Sequence, residues 1–282
     1  MLVNEAIAFA EQELKRSNNL NSRLDSEILV SHLINIPRES IYSRLKENLP
    51  SNKTEELQNL VSRRVKKEPI AYILNNKEFW STNFYVDRSV LIPRPETEVL
   101  IDLILSQISN KNNYLNILDI GTGSGCILVS LLKELTKAKG IGIDKSSKAI
   151  AVAKKNSTSQ HVDSRSSFKN INLENIKFDK KFDLIVSNPP YLPDVSLKNL
   201  NLDIKLYEPK IALQGGVQGV DFLYKIIVLA SKILKTNGLL ALEIGDNQFH
   251  ILAKQLKKNR FKTLDKYILI NKQVRCLLAT KL

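Results

Sequence analysis

Four consecutive residues, Asn188-Pro189-Pro190-Tyr191, have the clearest chemical use in the chain. They follow an apolar run, residues 182–186, which predicts a buried strand. Neither proline can continue a central strand, because proline lacks a backbone N–H and has a fixed φ. We therefore expect Asn188 at the carboxyl end of a strand, where open α/β sheets bind their ligands.

The side-chain carbonyl of Asn188 and the backbone carbonyl of Pro189 are two acceptors that can hold both hydrogens of one NH2 group. Tyr191 can press its ring against the planar group that carries this NH2. The nitrogen of a carboxamide or of a base is a poor nucleophile because its lone pair is delocalised. Two fixed acceptors would favour the positive charge that develops as it reacts. We predict Asn188, Pro189, Pro190 and Tyr191 as catalytic residues, although a Pro-Pro turn remains the alternative from this motif alone.

Composition places the chain among ordinary globular proteins. It has 282 residues, 43% hydrophobic and 25% charged. No apolar run approaches the ~18–20 residues of a membrane span, and no basic segment precedes an apolar one at the N-terminus, so neither a membrane nor secretion is expected. The two cysteines, Cys126 and Cys276, argue for a reducing compartment and against a disulfide scaffold or a zinc site. We expect a cytoplasmic protein without a metal.

The net charge of +13 suits a nucleic acid or a ribonucleoprotein as partner. However, the basic residues are spread over 63–67, 177–181 and 254–262 and do not form one arm. A Lys-rich genomic composition explains the same charge. The sequence does not choose between these two explanations.

Residues 1–75 have helical periodicity and carry no catalytic cluster, which predicts a small helical bundle used for recognition. Asn52, with Glu55 three positions later, predicts a capping box at the start of one of these helices. Residues 76–92 predict a β-hairpin linker, with strands at 78–80 and 84–86 and a turn at 81–83.

Residues 93–282 predict an α/β domain. A helix is expected from Pro95, with acidic residues in its first turn. From residue 115 strands and helices alternate, which predicts a mainly parallel sheet. The expected strands are 116–120, 140–144, 168–171, 182–186, 238–245 and a final pair within 266–278. The expected helices are 127–132, 149–153, 222–234 and 249–257.

Glycines 121, 123 and 125 follow the first strand of this domain, and they let the backbone pass close to a ligand. Asp144 ends the next strand, at the distance where a carboxylate meets a ribose diol. A dinucleotide fingerprint would need glycine where this chain has Cys126, and no P-loop sequence is present. Residues 119–125 instead resemble the D/E-x-G-x-G-x-G loop of S-adenosylmethionine-dependent methyltransferases. The acidic Asp119 would repel a pyrophosphate and suits a cationic amino acid moiety.

This resemblance implies S-adenosylmethionine as methyl donor and S-adenosylhomocysteine as product. The glycine loop would follow the methionine half, Asp144 the ribose and Asn172-Leu173 the adenine. The expected cofactor-binding residues are Asp119, Gly121, Thr122, Gly123, Ser124, Gly125, Asp144, Asn172, Leu173 and Asn188.

Nearly the whole chain resembles the HemK/PrmC family, whose members methylate the glutamine of the GGQ motif in peptide chain release factors. The motifs that carry the resemblance are residues 69–73, 78–79, 91–98, 119–125, 144, 188–191, 207–209, 212–213, 215–216, 243–245 and 248. The family fold is an N-terminal helical bundle, a hairpin linker and a class I methyltransferase domain, which is Rossmann-like with a mostly parallel seven-stranded sheet. The resemblance implies transfer of a methyl group to glutamine N5 during translation termination.

Three sites depart from the family pattern. Lys67 and Asn75 stand where glycines are usual, and Asn172-Leu173 replaces an aspartate followed by a large residue. Asn172 can still hydrogen-bond to adenine.

Three alternatives remain. Sister enzymes methylate a glutamine of a large-subunit ribosomal protein, but they resemble residues 92–98 less. N6-adenine methylation of DNA or RNA uses the same acceptor pair, but it needs a target-reading insertion that is not seen here. The third is a non-catalytic binding module of the same fold. We expect release factors as partners, docked by the N-terminal bundle, and no stable nucleic-acid binding.

Overall fold

The computed structural model describes residues 1–282, which form two structural units. The first unit comprises residues 1–75 with 201–207, and the second comprises 76–200 with 208–282. Residues 76–92 belong to the second unit, and their role as a linker stays a prediction. No helix is long and apolar enough to cross a membrane.

The first unit is helical. Its helices are α1 (Val3–Arg16), α2 (Ser22–Leu33), α3 (Lys53–Val65), α4 (Ile70–Ile73) and α8 (Leu202–Tyr207), with a 3₁₀ helix at Arg38–Arg44. Ile7 and Ala10, three residues apart on α1, pack with Leu29 of α2 and Leu57 of α3 in one apolar core. Helix α8 was not predicted, and its Tyr207 hydroxyl donates to the Lys66 carbonyl at 2.8 Å.

The predicted capping box at Asn52 is wrong. Asn52 has helical dihedrals, φ −68° and ψ −10°, and its side chain accepts no capping hydrogen bond. A capping side chain reaches the N2 or N3 amide from an extended backbone, which this residue lacks. A comparable bond occurs at α1, where the Leu2 amide donates to the Glu5 carboxylate at 2.7 Å.

The two positions where glycine is usual in the family have left-handed backbone. Lys67 has φ +69° and Asn75 has φ +51°. Glycine adopts this conformation without steric cost, which is a physical reason for its use there. The Lys67 ammonium donates to the Ser17 and Asn18 carbonyls, and these bonds help to hold the strained conformation.

The second unit begins with the hairpin of β1 (Lys77–Phe79) and β2 (Thr82–Phe84). Its turn is Trp80-Ser81, one residue earlier than predicted, with φ +51° and +50°. Two left-handed residues match the twist of a two-stranded ribbon. The Trp80 amide donates to Glu98 at 3.0 Å and the Trp80 indole donates to Glu134 at 3.0 Å, and these bonds help to hold its left-handed backbone.

A seven-stranded sheet forms the centre of the second unit, as the family resemblance implied. Its strands are β3 (Asn116–Ile120), β4 (Lys139–Asp144), β5 (Ser166–Asn170), β6 (Phe182–Ser187), β7 (Leu234–Glu243), β8 (Phe261–Ile268) and β9 (Val274–Lys281). The spatial order is β5-β4-β3-β6-β7-β9-β8, and only β9 runs opposite to the other six strands. The helices are α5 (Pro95–Ser106), α6 (Cys126–Glu134), α7 (Ser147–Ser159), α9 (Asp221–Ile233) and α10 (Phe249–Lys258).

Helices cover both faces of the sheet. Side chains alternate along β3, so that Ile117 faces one apolar cluster and Leu118 faces the other. The first cluster includes Leu128 of α6 and the second includes Ile227 of α9. Burial on both faces explains why these strands are continuous apolar runs.

The strand order reverses between β3 and β6, which are parallel neighbours. From β3 the chain continues to β4 and β5 on one side, and from β6 it continues to β7 on the other. Such a switch point leaves a crevice at the carboxyl ends of the strands. The glycine loop after β3 and Asn188 after β6 therefore meet at one edge of the sheet.

Candidate active site

A cleft opens at this edge, inside the second unit. It contains about 1070 Å³ of space free of protein atoms, its open mouth included, which is enough for a nucleoside-sized ligand. Of the predicted site residues, the following line it: Gly121, Thr122, Gly123, Ser124, Asp144, Asn172, Leu173, Asn188, Pro189 and Pro190. Asp119, Gly125 and Tyr191 do not line it.

The glycine loop presents backbone to the cleft. Gly121 and Gly123 have φ of +73° and +53°, and a Cβ at Gly121 would meet no atom within 4 Å. Gly125 has a different use, because a Cβ there would lie 3.1 Å from the Ala153 Cβ of α7. The first two glycines leave room for a ligand, and the third allows α6 to begin close to α7.

Asp144 lies at the end of β4 and lines the cleft. One of its carboxylate oxygens accepts from the Gly123 amide at 3.1 Å, and the other accepts from the Ser146 amide at 2.9 Å. Burial raises the pKa of Asp144, and these two amides oppose the shift. Each oxygen keeps a lone pair, so the carboxylate can also accept from a diol in the cleft.

Asp119 is fully buried behind the loop, and its carboxylate accepts from the Thr122 hydroxyl at 2.6 Å. Burial raises its pKa to about 7. Its other oxygen has no hydrogen-bond partner. Asp119 thus supports Thr122, which does line the cleft, and its predicted contact with a cationic group stays a prediction.

Asn172 and Leu173 line the cleft just beyond β5. The Asn172 side-chain oxygen faces the Glu174 amide at 3.5 Å, and its nitrogen donates no hydrogen bond within the protein. Phe222 and Ile226 of α9 also line the cleft. An apolar slot with one free amide suits a planar base.

Asn188 belongs to a chain of side-chain hydrogen bonds. Its nitrogen donates to the Thr97 hydroxyl at 3.1 Å, and Thr97 donates to Glu243 at 2.6 Å. The second oxygen of Glu243 accepts from the Tyr191 hydroxyl at 3.0 Å. Burial raises the pKa of Glu243, while its two hydroxyl donors and Arg275 lower it. With its nitrogen on Thr97, Asn188 has its oxygen free as an acceptor beside Pro189.

Tyr191 lies behind the cleft lining. Its hydroxyl is bound to Glu243, and burial raises its pKa. The guanidinium carbon of Arg275 lies 5.5 Å from the centre of its ring. The predicted packing of Tyr191 against a planar substrate stays a prediction.

Two further elements fix the loop that carries Tyr191. The buried Gln248 donates to the Tyr191 carbonyl at 2.9 Å and to the Gly219 carbonyl at 3.1 Å. A Cβ on Gly219 would lie 2.2 Å from the Tyr191 carbonyl oxygen, and one on Gly215 would lie 2.8 Å from the Pro190 carbonyl oxygen. Only glycine fits this close approach.

The sequence reasoning did not predict Arg94, Thr97, Glu208 and Glu243 as site residues. Arg94 and Thr97 line the cleft, and each bonds to a buried glutamate, Glu208 and Glu243 respectively. These partners lie 114 and 146 positions away in the sequence, so spacing could not reveal them. The signal that could have found them is that residues 92–98, 208 and 243 all belong to the motifs of the family resemblance.

The sheet order and the glycine-loop cleft define a class I S-adenosylmethionine-dependent methyltransferase fold. A solved methyltransferase from Pyrococcus furiosus has the same fold, with a TM-score of 0.52 and 18% sequence identity over 79% of this chain and 98% of that one. Family models match residues 111–277 as a methyltransferase domain and residues 5–74 as a PrmC N-terminal domain.

The chain belongs to the release factor glutamine methyltransferase family. It is 34% identical over 267 residues to the Clostridium acetobutylicum release factor glutamine methyltransferase, covering 94% of this chain and 93% of the relative. It is 37% identical over 241 residues to the Geobacter sulfurreducens enzyme of the same name, covering 86% and 83%. The resemblance to the HemK/PrmC family is thereby confirmed.

Proposed function

We propose that this protein transfers a methyl group from S-adenosylmethionine to the side-chain N5 of the glutamine in the GGQ motif of peptide chain release factors. The observation that carries the proposal is that Asn188 and Pro189 line the cleft, with the Asn188 nitrogen held by Thr97. Because the Asn188 nitrogen donates to Thr97, the Asn188 oxygen remains to accept, and together with the Pro189 carbonyl it would hold one NH2 group.

The cleft fits the proposed cofactor. Open space in front of Gly121 allows a ligand to approach the backbone closely, and the Asp144 carboxylate can accept from a ribose diol. Asn172, Leu173 and the neighbouring apolar side chains suit adenine. S-adenosylmethionine would supply an electrophilic methyl group there, and S-adenosylhomocysteine would remain as product.

The protein's own residues position and polarise the substrate. Asn188 and Pro189 would accept the two hydrogens of the glutamine NH2 and hold its nitrogen in one place. Such positioning lowers a reaction barrier by up to ~7–11 kcal/mol. The same acceptors become stronger partners as positive charge develops on the nitrogen. Once it has accepted the methyl group, the nitrogen still carries both hydrogens and a positive charge and is strongly acidic, so one proton can leave to water and no strong base is needed beforehand.

The first unit is proposed to contact the release factor, since a GGQ loop alone is too short to account for selectivity. A protein that modifies release factors acts where translation occurs, so we place it in the cytoplasm. No stable complex with nucleic acid is required.

Parallel assays with radiolabelled S-adenosylmethionine test the substrate class. Purified protein is given a release factor, large-subunit ribosomal protein or DNA, with Asn188→Ala as the inactive control. Label on the release factor, lost when the GGQ glutamine is replaced by alanine, is the expected result. Label only on the ribosomal protein or on adenine would contradict the proposal.

A further inference from the structure

We infer that Glu243 and Thr97 are positioning residues that fix the direction of the Asn188 amide, so that the cleft presents an acceptor and not a donor to the substrate NH2. This inference rests on the proposed function and deepens it. It explains how the site selects an NH2 group with a neutral side chain that could bind in either direction.

Glu243 decides which groups donate and which accept along this chain of hydrogen bonds. This residue is 1% exposed, so its carboxylate depends on protein donors. The hydrogen-bond geometry makes this carboxylate an acceptor on both sides. Its two oxygens accept from Thr97 at 2.6 Å and from Tyr191 at 3.0 Å. The single hydroxyl proton of Thr97 is therefore committed to Glu243.

Thr97 in turn decides which group of the Asn188 amide faces it. Thr97 is 2% exposed, and with its proton on Glu243 its oxygen can only accept. It accepts from the Asn188 nitrogen at 3.1 Å. The opposite orientation of Asn188 would place its oxygen against the Thr97 oxygen with no proton between them, which leaves buried acceptors unpaired. The Asn188 oxygen therefore faces the cleft.

The hydrogen-bond chain from Glu243 through Thr97 to Asn188 is called the relay below. Exchanging the carboxylate and the amide at its two ends should reverse its donors and acceptors. In Glu243→Gln, the introduced amide oxygen accepts from Tyr191 and the amide nitrogen donates to Thr97. Thr97 then donates to Asn188, whose oxygen turns inward and whose NH2 faces the substrate NH2. In Asn188→Asp, two carboxylates compete for the one Thr97 proton. Each single variant should be poorly active.

The double variant Asn188→Asp/Glu243→Gln should recover activity. The introduced glutamine side chain would donate to Thr97 and accept from Tyr191, and Thr97 would donate to one oxygen of the introduced aspartate. The other aspartate oxygen would face the cleft as an acceptor, as in the wild type. The pair keeps one carboxylate in total, so the local net charge is unchanged. A role confined to stability would not produce such recovery.

The experiment measures kcat on a release factor, with S-adenosylmethionine affinity by calorimetry and Tm as folding controls. We expect each single variant to lose about 100-fold in kcat, the scale seen when one fixed polar partner is removed from an active site. The double variant should be at least about tenfold faster than either single variant. Thr97→Val, which lacks the hydroxyl, should be slow with cofactor affinity retained, and Thr97→Ser, which keeps the hydroxyl, should be faster than Thr97→Val.

Two results would overturn the inference: a double variant no faster than the faster single variant, or a Thr97→Val enzyme with wild-type kcat. Loss of folding in a variant does not decide the matter, so a second measurement uses protein labelled with ¹⁵N-asparagine. The Asn188 NH2 signal, identified by its absence in Asn188→Asp, should show contact with the Thr97 methyl in wild type and lose it in Glu243→Gln. The same contact in both proteins would contradict the relay.

Failure of the proposed function has a different signature. Wild-type protein that leaves the release factor unmethylated would reject the proposed substrate. The NMR comparison would still decide the relay, because it needs no substrate.

Discussion

Three buried carboxylates hold the polar side chains of this cleft in place by hydrogen bonds. Glu243 orients Thr97 and Tyr191, while Asp119 holds Thr122. Glu208, 5% exposed, binds Arg94 in the same manner. Each carboxylate lies behind the lining and acts through a neighbour that reaches the cleft. Buried charge is costly unless it is paired, so these residues are the places where substitution tests the site most directly.

Asn188→Ala removes one of the two acceptors for the substrate NH2. We expect kcat on a release factor to fall by at least about 100-fold while S-adenosylmethionine affinity stays within about threefold, because the cofactor has its other contacts. The exposed Asn113→Ala is the control and should behave as wild type. Near-normal turnover by Asn188→Ala would contradict the assignment of this residue.

Asp119 makes folding stability depend on pH. Its pKa is raised from 3.8 to about 7 in the folded protein. Between these values the folded state keeps a proton that the unfolded state has released, so stability falls as pH rises. The amide that replaces this carboxyl in Asp119→Asn does not titrate. The Tm of wild type minus that of the variant should therefore decrease from about pH 4 to about pH 7 and level off above.

Thermal unfolding at intervals of pH checks this expectation. The exposed Asp102→Asn variant controls for the loss of a negative charge as such. A Tm difference between wild type and Asp119→Asn that is constant over the whole pH range would contradict it, because it would show that folding does not raise the pKa of the Asp119 carboxyl.

Two loops hold the backbone and polar groups that face the cleft. The glycine loop after β3 borders one side of the cleft, and the Pro-Pro loop after β6 borders another. The second of these is fixed from behind by Gln248 and by the close approach of Gly215 and Gly219. Rigid loops on a buried parallel sheet hold polar groups in place before the ligand arrives.

Two glycines of similar φ provide a matched test of these loops. Gly219 has φ +74° and no room for a Cβ, whereas Gly121 has φ +73° and open space. Both alanine variants lose about 1–2 kcal/mol for left-handed backbone. Gly219→Ala should lose more stability, and also turnover, because the Tyr191 loop must move. Gly121→Ala should chiefly weaken S-adenosylmethionine binding.

Tm and calorimetric affinity for both variants separate the two effects. Equal losses of Tm with unchanged cofactor affinity would contradict the different roles assigned to these loops.

The sequence predicted the elements better than the contacts between them. Continuous apolar runs gave β3 and β6 within one residue, since burial on both faces leaves a strong pattern. The hairpin turn was misplaced because tertiary bonds to Trp80 stabilise left-handed backbone at a residue that would not be chosen for it. The Thr97–Glu243 contact could not be predicted, because it joins two elements that only the fold brings together.

The whole molecule has two units, each with its own apolar core. The predicted cofactor residues all lie in the second unit. A ligand present at 100 times its Kd stabilises the folded unit that binds it by about 2.7 kcal/mol. S-adenosylhomocysteine should therefore slow hydrogen exchange at residues 121–125 and 188–191 and leave α1–α3 unchanged.

Hydrogen exchange followed by mass spectrometry reports both units at once, and Gly121→Ala provides a weakened binder as control. Protection concentrated in residues 1–75 would contradict the placement of the cofactor in the cleft.

The most direct test of the proposed reaction is the position of the methyl group on the product. A release factor treated with the enzyme and S-adenosylmethionine is digested and sequenced by tandem mass spectrometry. One methyl group on the side-chain nitrogen of the GGQ glutamine, absent with Asn188→Ala, is the predicted result. A methyl group on any other residue, or an unmodified GGQ peptide, would contradict it.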